Sequence, residues 1–277
     1  MEVTDELISE ACEALTVTLT GPLRDGGQKA VRRVRRGGEE LVLKVITLSD
    51  SSPGSLRRAE REVQLLSKLD SPHVVKVRSD LLQLGDPVVG ACWLEEYIEG
   101  QDLTELLGPP WSWAETAALI REVALGLGVA HQLKVVHRDL SSNNVRRRSD
   151  GNWVVLDFGF ARHTLRSGLT VAGHPGTLGF LTPEHLNGYS GGPTAASDVF
   201  GVGLLAFFAL TGTLPITADD DEDYLTRLLR CRIPDIAGRR PDLEPEQAKI
   251  VMRCLHPQSA RRYLNGRRLA AAIEALS

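Results

Sequence analysis

The sequence predicts an α+β fold in two lobes: a small, mostly antiparallel β lobe crossed by one helix, and a larger, mainly helical lobe. Short apolar and β-branched runs separated by glycine-rich turns fill the first third of the chain. One amphipathic stretch interrupts these runs, and helical periodicity dominates after residue 100. Strands followed by helices, rather than strands alternating with helices, is the order expected of an α+β chain.

The β lobe is predicted from three strands and one helix. The strands cover residues 15–19, 30–34 and 41–46, each a short apolar run bounded by turn residues. Residues 55–69 place apolar side chains at helical spacing among charges, and Ser71-Pro72 stops the helix.

The helical lobe is predicted from apolar periodicity in the rest of the chain. The lobe boundary falls near residues 98–101, so one domain over residues 1–277 divides into an N-lobe, 1–98, and a C-lobe, 99–277. No internal repeat interrupts it. The predicted helices cover residues 113–131, 194–210, 221–231, 245–255 and 265–276.

Composition and charge exclude several classes of protein. A net charge of -4 gives no overall case for nucleic-acid binding. The apolar run 199–210 is shorter than the roughly 20 residues of a membrane span. The first residues are acidic, unlike a signal peptide. Four scattered cysteines without a C-x-x-C pair indicate reduced, inert thiols, and we expect a cytoplasmic location.

The segment 137–144, H-R-D-L-S-S-N-N, is the strongest functional signal. It sets a carboxylate, Asp139, five residues before an amide, Asn144, and a second carboxylate, Asp157, opens D-F-G eighteen residues after Asp139. Carboxylate and amide oxygens suit Mg²⁺, and a carboxylate can orient an attacking hydroxyl.

These two segments resemble the catalytic loop and the D-F-G motif of eukaryotic-like (Hanks-type) serine/threonine protein kinases. The resemblance implies a two-lobed protein-kinase-like fold. It also implies that Asp139 is the catalytic base and that Asn144 and Asp157 bind the metal ion.

Lys44 lies among apolar residues of a predicted strand, where a buried ammonium group needs a partner. The resemblance implies that Lys44 contacts the nucleotide phosphates and pairs with a glutamate of the crossing helix. Glu62, ten residues before Pro72, is the first candidate for that glutamate, and Glu60 is the alternative.

The segment 19–28 stands where the family has its glycine-rich loop. It retains Gly21, Gly26 and Gly27 but lacks the middle glycine, and Pro22 removes a backbone N–H group. Nucleotide contact and a simple hairpin turn therefore both remain open for this segment.

The resemblance also assigns an adenine site. It places Glu95 at the gatekeeper position, where the family more often has an apolar or hydroxyl residue. Val42 then narrows the roof over the adenine, and the backbone groups of Glu96 and Ile98 meet the base.

Residues 176–184, G-T-L-G-F-L-T-P-E, resemble the end of a kinase activation segment. Thr177 in this segment favours serine and threonine over tyrosine as substrates. Thr170 is the preferred phosphorylation site, with Thr164 and Ser167 as alternatives. Ordinary exposed hydroxyl groups remain an equal explanation for all three.

The same resemblance assigns two structural carboxylates and one regulatory arginine. Glu184 is expected to pair with Arg261 or Arg262. Asp198 either braces the catalytic loop or acts as an N-terminal helix carboxylate, and both roles can coexist. Arg138, beside Asp139, suggests control by a phosphate on the activation segment.

Two features depart from a simple kinase pattern. Ser141 stands where serine/threonine kinases usually have lysine, and the loss of one preorganised charge commonly costs on the order of 10²–10³ in rate. The arginine clusters at residues 32–36 and 146–148 are either docking patches for an acidic partner or nucleic acid, or solvated faces of strands. The second explanation is preferred.

The leading hypothesis is a serine/threonine protein kinase that uses ATP and Mg²⁺, with Mn²⁺ as an alternative metal, and that phosphorylates itself in the activation segment. Its partners are protein substrates of unknown identity, with no clear nucleic-acid or membrane signal. A pseudokinase that binds nucleotide and signals by shape is the main alternative. A small-molecule phosphotransferase is a third, which residues 176–184 disfavour.

Overall fold

A computed structural model describes residues 3–26, 29–48, 54–158, 178–186, 192–217 and 220–276. The chain divides into two compact units. The first unit consists of Met1–Asp70 and Val75–Glu99, and the second of Ser71–Val74 and Gly100–Ser277.

The first unit is built on an antiparallel sheet. Among the described residues its strand order is β1-β2-β3-β5-β4, so β3 lies at the centre and pairs with β2 and β5. Register shifts interrupt the pairing of β1 with β2 between Leu19 and Gly21 and between Pro22 and Arg24. The elements are α1 (Asp5–Ala14), β1 (Thr18–Gly26), β2 (Lys29–Arg36), β3 (Glu39–Thr47), α2 (Ser55–Leu66), β4 (Leu82–Leu84) and β5 (Gly90–Glu96).

Helix α1 corrects the prediction at the start of the chain. The start of the strand predicted over residues 15–19 is wrong, because Leu15 is the C-cap of α1 and β1 begins only at Thr18. The side chain of Thr4 accepts a hydrogen bond from the Leu7 backbone N–H group and starts the helix. The apolar side of α1 then packs into the core of the sheet. The helix contributes Leu7, Ile8 and Ala11 to that core.

The second unit is mainly helical. It contains a small antiparallel sheet in the order β6-β7-β8. The elements are β6 (Gly100–Asp102), α3 (Leu103–Leu106), α4 (Trp113–Gln132), β7 (Val145–Arg148), β8 (Trp153–Val155), α5 (Pro183–Leu186), α6 (Ala195–Thr211), α7 (Asp221–Arg230), α8 (Ile236–Arg239), α9 (Pro245–Cys254) and α10 (Gly266–Glu274). The ends of the five predicted helices differ from the observed ends by at most two residues, and the short helices α3, α5 and α8 were not predicted.

Two of these helices explain how the second unit is organised. A capping box at Ser112 begins α4, which packs against α10 and α6. At Gly266, an added Cβ would lie 2.2 Å from the Ala124 carbonyl oxygen, so glycine permits the close approach of α10 to α4. The α+β prediction is confirmed, with α1 as an additional helix of the first unit.

Helix α6 is buried along most of its length, as the apolar run 199–210 indicated. In the part of the chain that the structure describes, no helix combines the length and the apolar character that a membrane span requires.

The four cysteines are free, and three of them are buried. Burial raises the pKa of Cys92 to about 12 and that of Cys231 to about 11, which keeps both thiols protonated at neutral pH. This agrees with the prediction of structural thiols.

Candidate active site

Asp139 and Asn144 of the second unit are hydrogen-bonded to each other within the loop 137–144. Asn144 ends a single 3-10 turn, Ser142–Asn144, and its backbone N–H group donates to the Ser141 carbonyl at 3.0 Å. The Asn144 side-chain nitrogen Nδ2 donates to the Asp139 carbonyl at 2.8 Å and to Asp139 Oδ2 at 3.2 Å. The five-residue spacing read from the sequence therefore brings amide and carboxylate into contact.

Asp198, in the first turn of α6, holds the start of this loop. Its carboxylate accepts hydrogen bonds from the backbone N–H groups of His137 at 2.8 Å and Arg138 at 2.9 Å. Arg138 adopts a φ of 69°, a left-handed conformation that is costly for arginine. The two charge-assisted hydrogen bonds from these consecutive N–H groups to Asp198 help to stabilise this conformation.

His131 of α4 supplies a third donor to Asp198. Its Nδ1 atom accepts from the Gly266 N–H group at 3.1 Å, so Nε2 carries the proton and donates to Asp198 at 2.8 Å. Asp198 is 2% exposed, and its burial makes each of these donors necessary. The carboxylate therefore braces the loop, as the resemblance implied.

Asp157 directly follows a residue that is hydrogen-bonded to Asn144. The backbone N–H group of Leu156 donates to the Asn144 carbonyl at 2.9 Å, and the Leu156 carbonyl accepts from His137 Nε2 at 2.8 Å. Phe158 packs against the His137 ring with centroids 4.8 Å apart. Asp157 itself has a φ of 52°, a conformation that aspartate tolerates better than most residues. The two predicted metal ligands thus lie on neighbouring segments of one unit.

The donor set of this region fits a hard divalent cation. Because Nδ2 of Asn144 faces Asp139, the amide oxygen is left as an acceptor on the other side. That oxygen and the Asp157 carboxylate are of the kind that Mg²⁺ prefers. Mg²⁺ binding at these residues remains a prediction.

Lys44 of β3 forms the charged centre of the first unit. Its Nζ atom lies 2.7 Å from Glu95 Oε2 and 4.0 Å from Glu62 Oε1, and these side chains are no more than 4% exposed. Glu62 on α2, the first candidate from sequence, is therefore near Lys44. Of the two carboxylates, however, that of Glu95 on β5 is the closer to Lys44 Nζ, and the sequence did not predict this contact.

The predicted adenine-binding residues lie at the end of β5 and on the facing strand. Val42 lies opposite Glu95 across the β3–β5 pair. The Glu96 backbone N–H group donates to the Lys76 carbonyl at 2.8 Å, and Ile98 is buried. Adenine binding by these residues remains a prediction.

The predicted glycine-rich loop forms part of a β-hairpin. Gly21 pairs with Arg33, Pro22 with Arg32 and Gly26 with Lys29. Gly27 lies outside the described residues. The pairing agrees with the hairpin interpretation of segment 19–28, and nucleotide contact there remains a prediction.

Glu184 pairs with Arg262, one of the two arginines left open by the sequence. Its two oxygens accept from the guanidinium at 2.7 and 3.1 Å, and the Arg262 side chain is fully buried. Burial alone would raise the pKa of Glu184, but the hydrogen bonds and charge of Arg262 outweigh it, so the pKa lies below the ordinary 4.5.

Thr170 and Thr177, with the alternatives Thr164 and Ser167, lie outside the described residues. Ser141, within the predicted catalytic loop, is 2% exposed. No lysine charge is available at this position, so the expected reduction in rate remains a prediction.

The arginine clusters are engaged within the chain. Arg33 donates to Glu40 at 2.6 Å, Arg35 also binds Glu40, and Arg146 donates to Asp102 at 2.6 Å. These contacts lie on β2 and β7 and agree with the strand-face interpretation.

A family model described as "Protein kinase domain" matches residues 23–269. The chain belongs to the protein kinase family. Its β-sheet unit and its helical unit agree with the two-lobed fold of that family. The prediction from the catalytic-loop and D-F-G motifs is confirmed at the level of family and fold.

Similar kinases come from several bacteria. The serine/threonine-protein kinase pkn3 of Myxococcus xanthus is 30% identical over 99% of this chain and 52% of its own length. PrkC of Bacillus subtilis is 27% identical over 85% of this chain and 36% of its own. The DNA damage-responsive serine/threonine-protein kinase RqkA of Deinococcus radiodurans is 31% identical over 90% of this chain and 37% of its own length. This chain therefore spans about half the length of these relatives or less.

Proposed function

We propose that this chain is a serine/threonine protein kinase that transfers the γ-phosphate of ATP to hydroxyl groups of protein substrates. The observation that carries the proposal is the contact between Asn144 and Asp139 in a loop braced by Asp198. Phosphoryl transfer depends mainly on positioning and electrostatics, and a braced carboxylate–amide pair supplies positioning.

Each residue has a definite task in this proposal. Asp139 orients the attacking hydroxyl group and accepts its proton, Lys44 binds the nucleotide phosphates, and Asn144 and Asp157 hold the metal ion. The glycines Gly21, Gly26 and Gly27, with Val42, Glu96 and Ile98, contact the nucleotide. Mg²⁺, or Mn²⁺ as the alternative, neutralises charge on the phosphates when bound.

The first experiment compares wild type with Asp139→Asn in transfer of radiolabelled phosphate from ATP to a general protein substrate and to the kinase itself. We expect the variant to lose at least about 10²-fold in rate, the range for loss of a positioned acid–base group. Asp150→Asn is the matched control, because Asp150 is an exposed turn residue that accepts from the Asn152 N–H group.

Equal transfer by wild type and Asp139→Asn would refute the enzyme proposal and support the pseudokinase alternative, which Ser141 motivates. Intact-mass analysis after incubation with Mg-ATP tests self-phosphorylation, and gains mapping to Thr164, Ser167 or Thr170 would support it. A cytoplasmic location remains a prediction.

A further inference from the structure

Three charged side chains are buried together in the first unit. Lys44, Glu62 and Glu95 are each 2–3% exposed. Among the described residues of this unit, Glu62 and Glu95 are the carboxylates that pair with the Lys44 ammonium group, and their distances to Lys44 Nζ show which of the two holds it more closely. A buried charge without a close partner costs several kcal/mol, which makes that choice consequential.

Glu95 binds a neighbouring side chain with each of its two carboxylate oxygens. Oε2 accepts from Lys44 Nζ at 2.7 Å, and Oε1 accepts from the indole Nε1 of Trp93 at 2.9 Å. The same Trp93 ring lies 5.8 Å from Lys44 Nζ. The Glu95 carboxylate is therefore fixed from two sides before any ligand binds.

The strand register explains this arrangement. Lys44 of β3 lies directly opposite Trp93 of β5. Glu95 follows Trp93 by two residues, so both side chains point to the same face of the sheet. Diagonal neighbours on one face are within reach of long side chains, and lysine and glutamate are both long.

The Lys44–Glu62 contact is weaker on geometric grounds. Its 4.0 Å separation exceeds hydrogen-bond distance, whereas 2.7 Å is typical of a short charge-assisted hydrogen bond. The Coulomb attraction also falls as the distance rises. At equal screening, the attraction of Lys44 to Glu95 is therefore roughly one and a half times its attraction to Glu62.

We propose that Glu95 is the positioning residue that anchors Lys44, and that Glu62 is its secondary partner. The proposal rests on the proposed kinase function, in which Lys44 binds the nucleotide phosphates. Lysine has three donors, so Glu95 can retain one of them while others meet phosphate oxygens. Glu95 thus acts through Lys44 and sets the direction of its ammonium group.

Double-mutant cycles on the nucleotide-free protein test the anchor directly. One cycle combines Lys44→Met with Glu95→Gln, and the other combines Lys44→Met with Glu62→Gln. Urea denaturation measures the free energy of unfolding of each variant. We expect a larger coupling between Lys44 and Glu95 than between Lys44 and Glu62. An equal or larger coupling to Glu62 would overturn the proposal.

The indole N–H signal of Trp93 gives a second readout that needs no activity and no Lys44 variant. NMR of the ¹⁵N-labelled protein, assigned with Trp93→Phe, should show that Glu95→Gln moves this signal more than Glu62→Gln does. A signal that moves equally in the two variants would count against Glu95 as the fixed partner. Where Lys44→Met fails to fold, this measurement decides.

Steady-state kinetics with ATP test the functional consequence. Glu95→Gln should lower kcat/KM for ATP at least about tenfold, mostly through KM, because misplaced Lys44 weakens phosphate binding. Glu95→Asp should restore part of the loss, Glu62→Gln should lose less, and the exposed Glu39→Gln serves as control. A greater loss in Glu62→Gln than in Glu95→Gln would refute the assignment.

These measurements separate the two proposals. A wild type that transfers no phosphate would refute the proposed function, and the cycles and the Trp93 signal would then decide on Glu95. A kinase with normal activity in Glu95→Gln would refute Glu95 as a positioning residue and leave the proposed function intact.

Discussion

The two units hold their key charged groups in different ways. In the second unit, the Asp198 carboxylate accepts hydrogen bonds from two backbone N–H groups and from His131 Nε2. The other ring nitrogen of His131 is itself hydrogen-bonded to the backbone. In the first unit, Lys44 is held by side chains, with Glu95 at 2.7 Å and Glu62 at 4.0 Å.

This difference has a physical consequence. The positions of backbone donors are determined by the fold of the chain. The loop around Asp139 therefore takes its position once α6 and the preceding turn have formed. An ammonium group held by side chains has three donors and can share them with a ligand, which suits a lysine that must also bind phosphate. Mutations in the backbone-held site around Asp198 should therefore mainly lower the stability of the protein. Mutations in the side-chain-held cluster around Lys44 should mainly weaken ligand binding.

Asp198→Ala tests the backbone-held site and should have the largest effect on stability. The change leaves the buried N–H groups of His137 and Arg138 without their acceptor, and we expect a loss of about 3–5 kcal/mol in free energy of unfolding. Urea denaturation monitored by circular dichroism measures it. Asp150→Ala, which removes an exposed turn acceptor, should cost less than about 1 kcal/mol. A loss in Asp198→Ala no larger than in this control would contradict the comparison.

Arg262→Gln should have the next largest effect, about 2–4 kcal/mol, because Arg262 also donates to the backbone carbonyls of His256, Ala196 and Pro257. Arg261→Gln is the matched control, since Arg261 is the exposed neighbour. We expect its stability to change by less than about 0.5 kcal/mol.

The Glu184–Arg262 pair also predicts a dependence on pH. The pKa of Glu184 is lower in the folded protein than its ordinary value of 4.5. The pair therefore stabilises the fold above pH 4.5, and this contribution is lost as the pH falls through the lower folded value. Denaturation of wild type and Arg262→Gln below pH 5 should show a smaller acid loss in the variant. Parallel pH profiles would refute the role assigned to Arg262.

The catalytic loop could be predicted from the sequence because its residues are close together in the chain. Asp139 and Asn144 are five residues apart, and local backbone geometry brings them into contact. Asp198 is distant in the chain, and only the family resemblance indicated that it braces the loop. The Glu184–Arg262 pair could be narrowed only to two neighbouring arginines, because the choice depends on which side chain turns inward.

The Lys44–Glu95 contact and helix α1 could not be predicted for different reasons. The contact depends on the exact register of β3 with β5, and a shift of one residue would turn Glu95 to the other face. Helix α1 has an N-cap threonine and an acidic first turn, but a helix of 10 residues is marginal in isolation, and its stability comes from packing Leu7, Ile8 and Ala11 on the sheet. Tertiary packing decides both features.

Trp93→Phe tests the side-chain-held cluster and should have the smallest effect on stability, about 1–2 kcal/mol. The change removes the indole donor from Glu95 Oε1 but leaves Lys44 on Oε2, so the carboxylate keeps its ionic partner. Urea denaturation should place this loss below that of Asp198→Ala. Trp113→Phe, at a half-buried position in α4, controls for the loss of indole volume. If Trp93→Phe destabilised the protein as much as Asp198→Ala, side chains and backbone would restrain the two sites equally, and the distinction between the two units would be wrong.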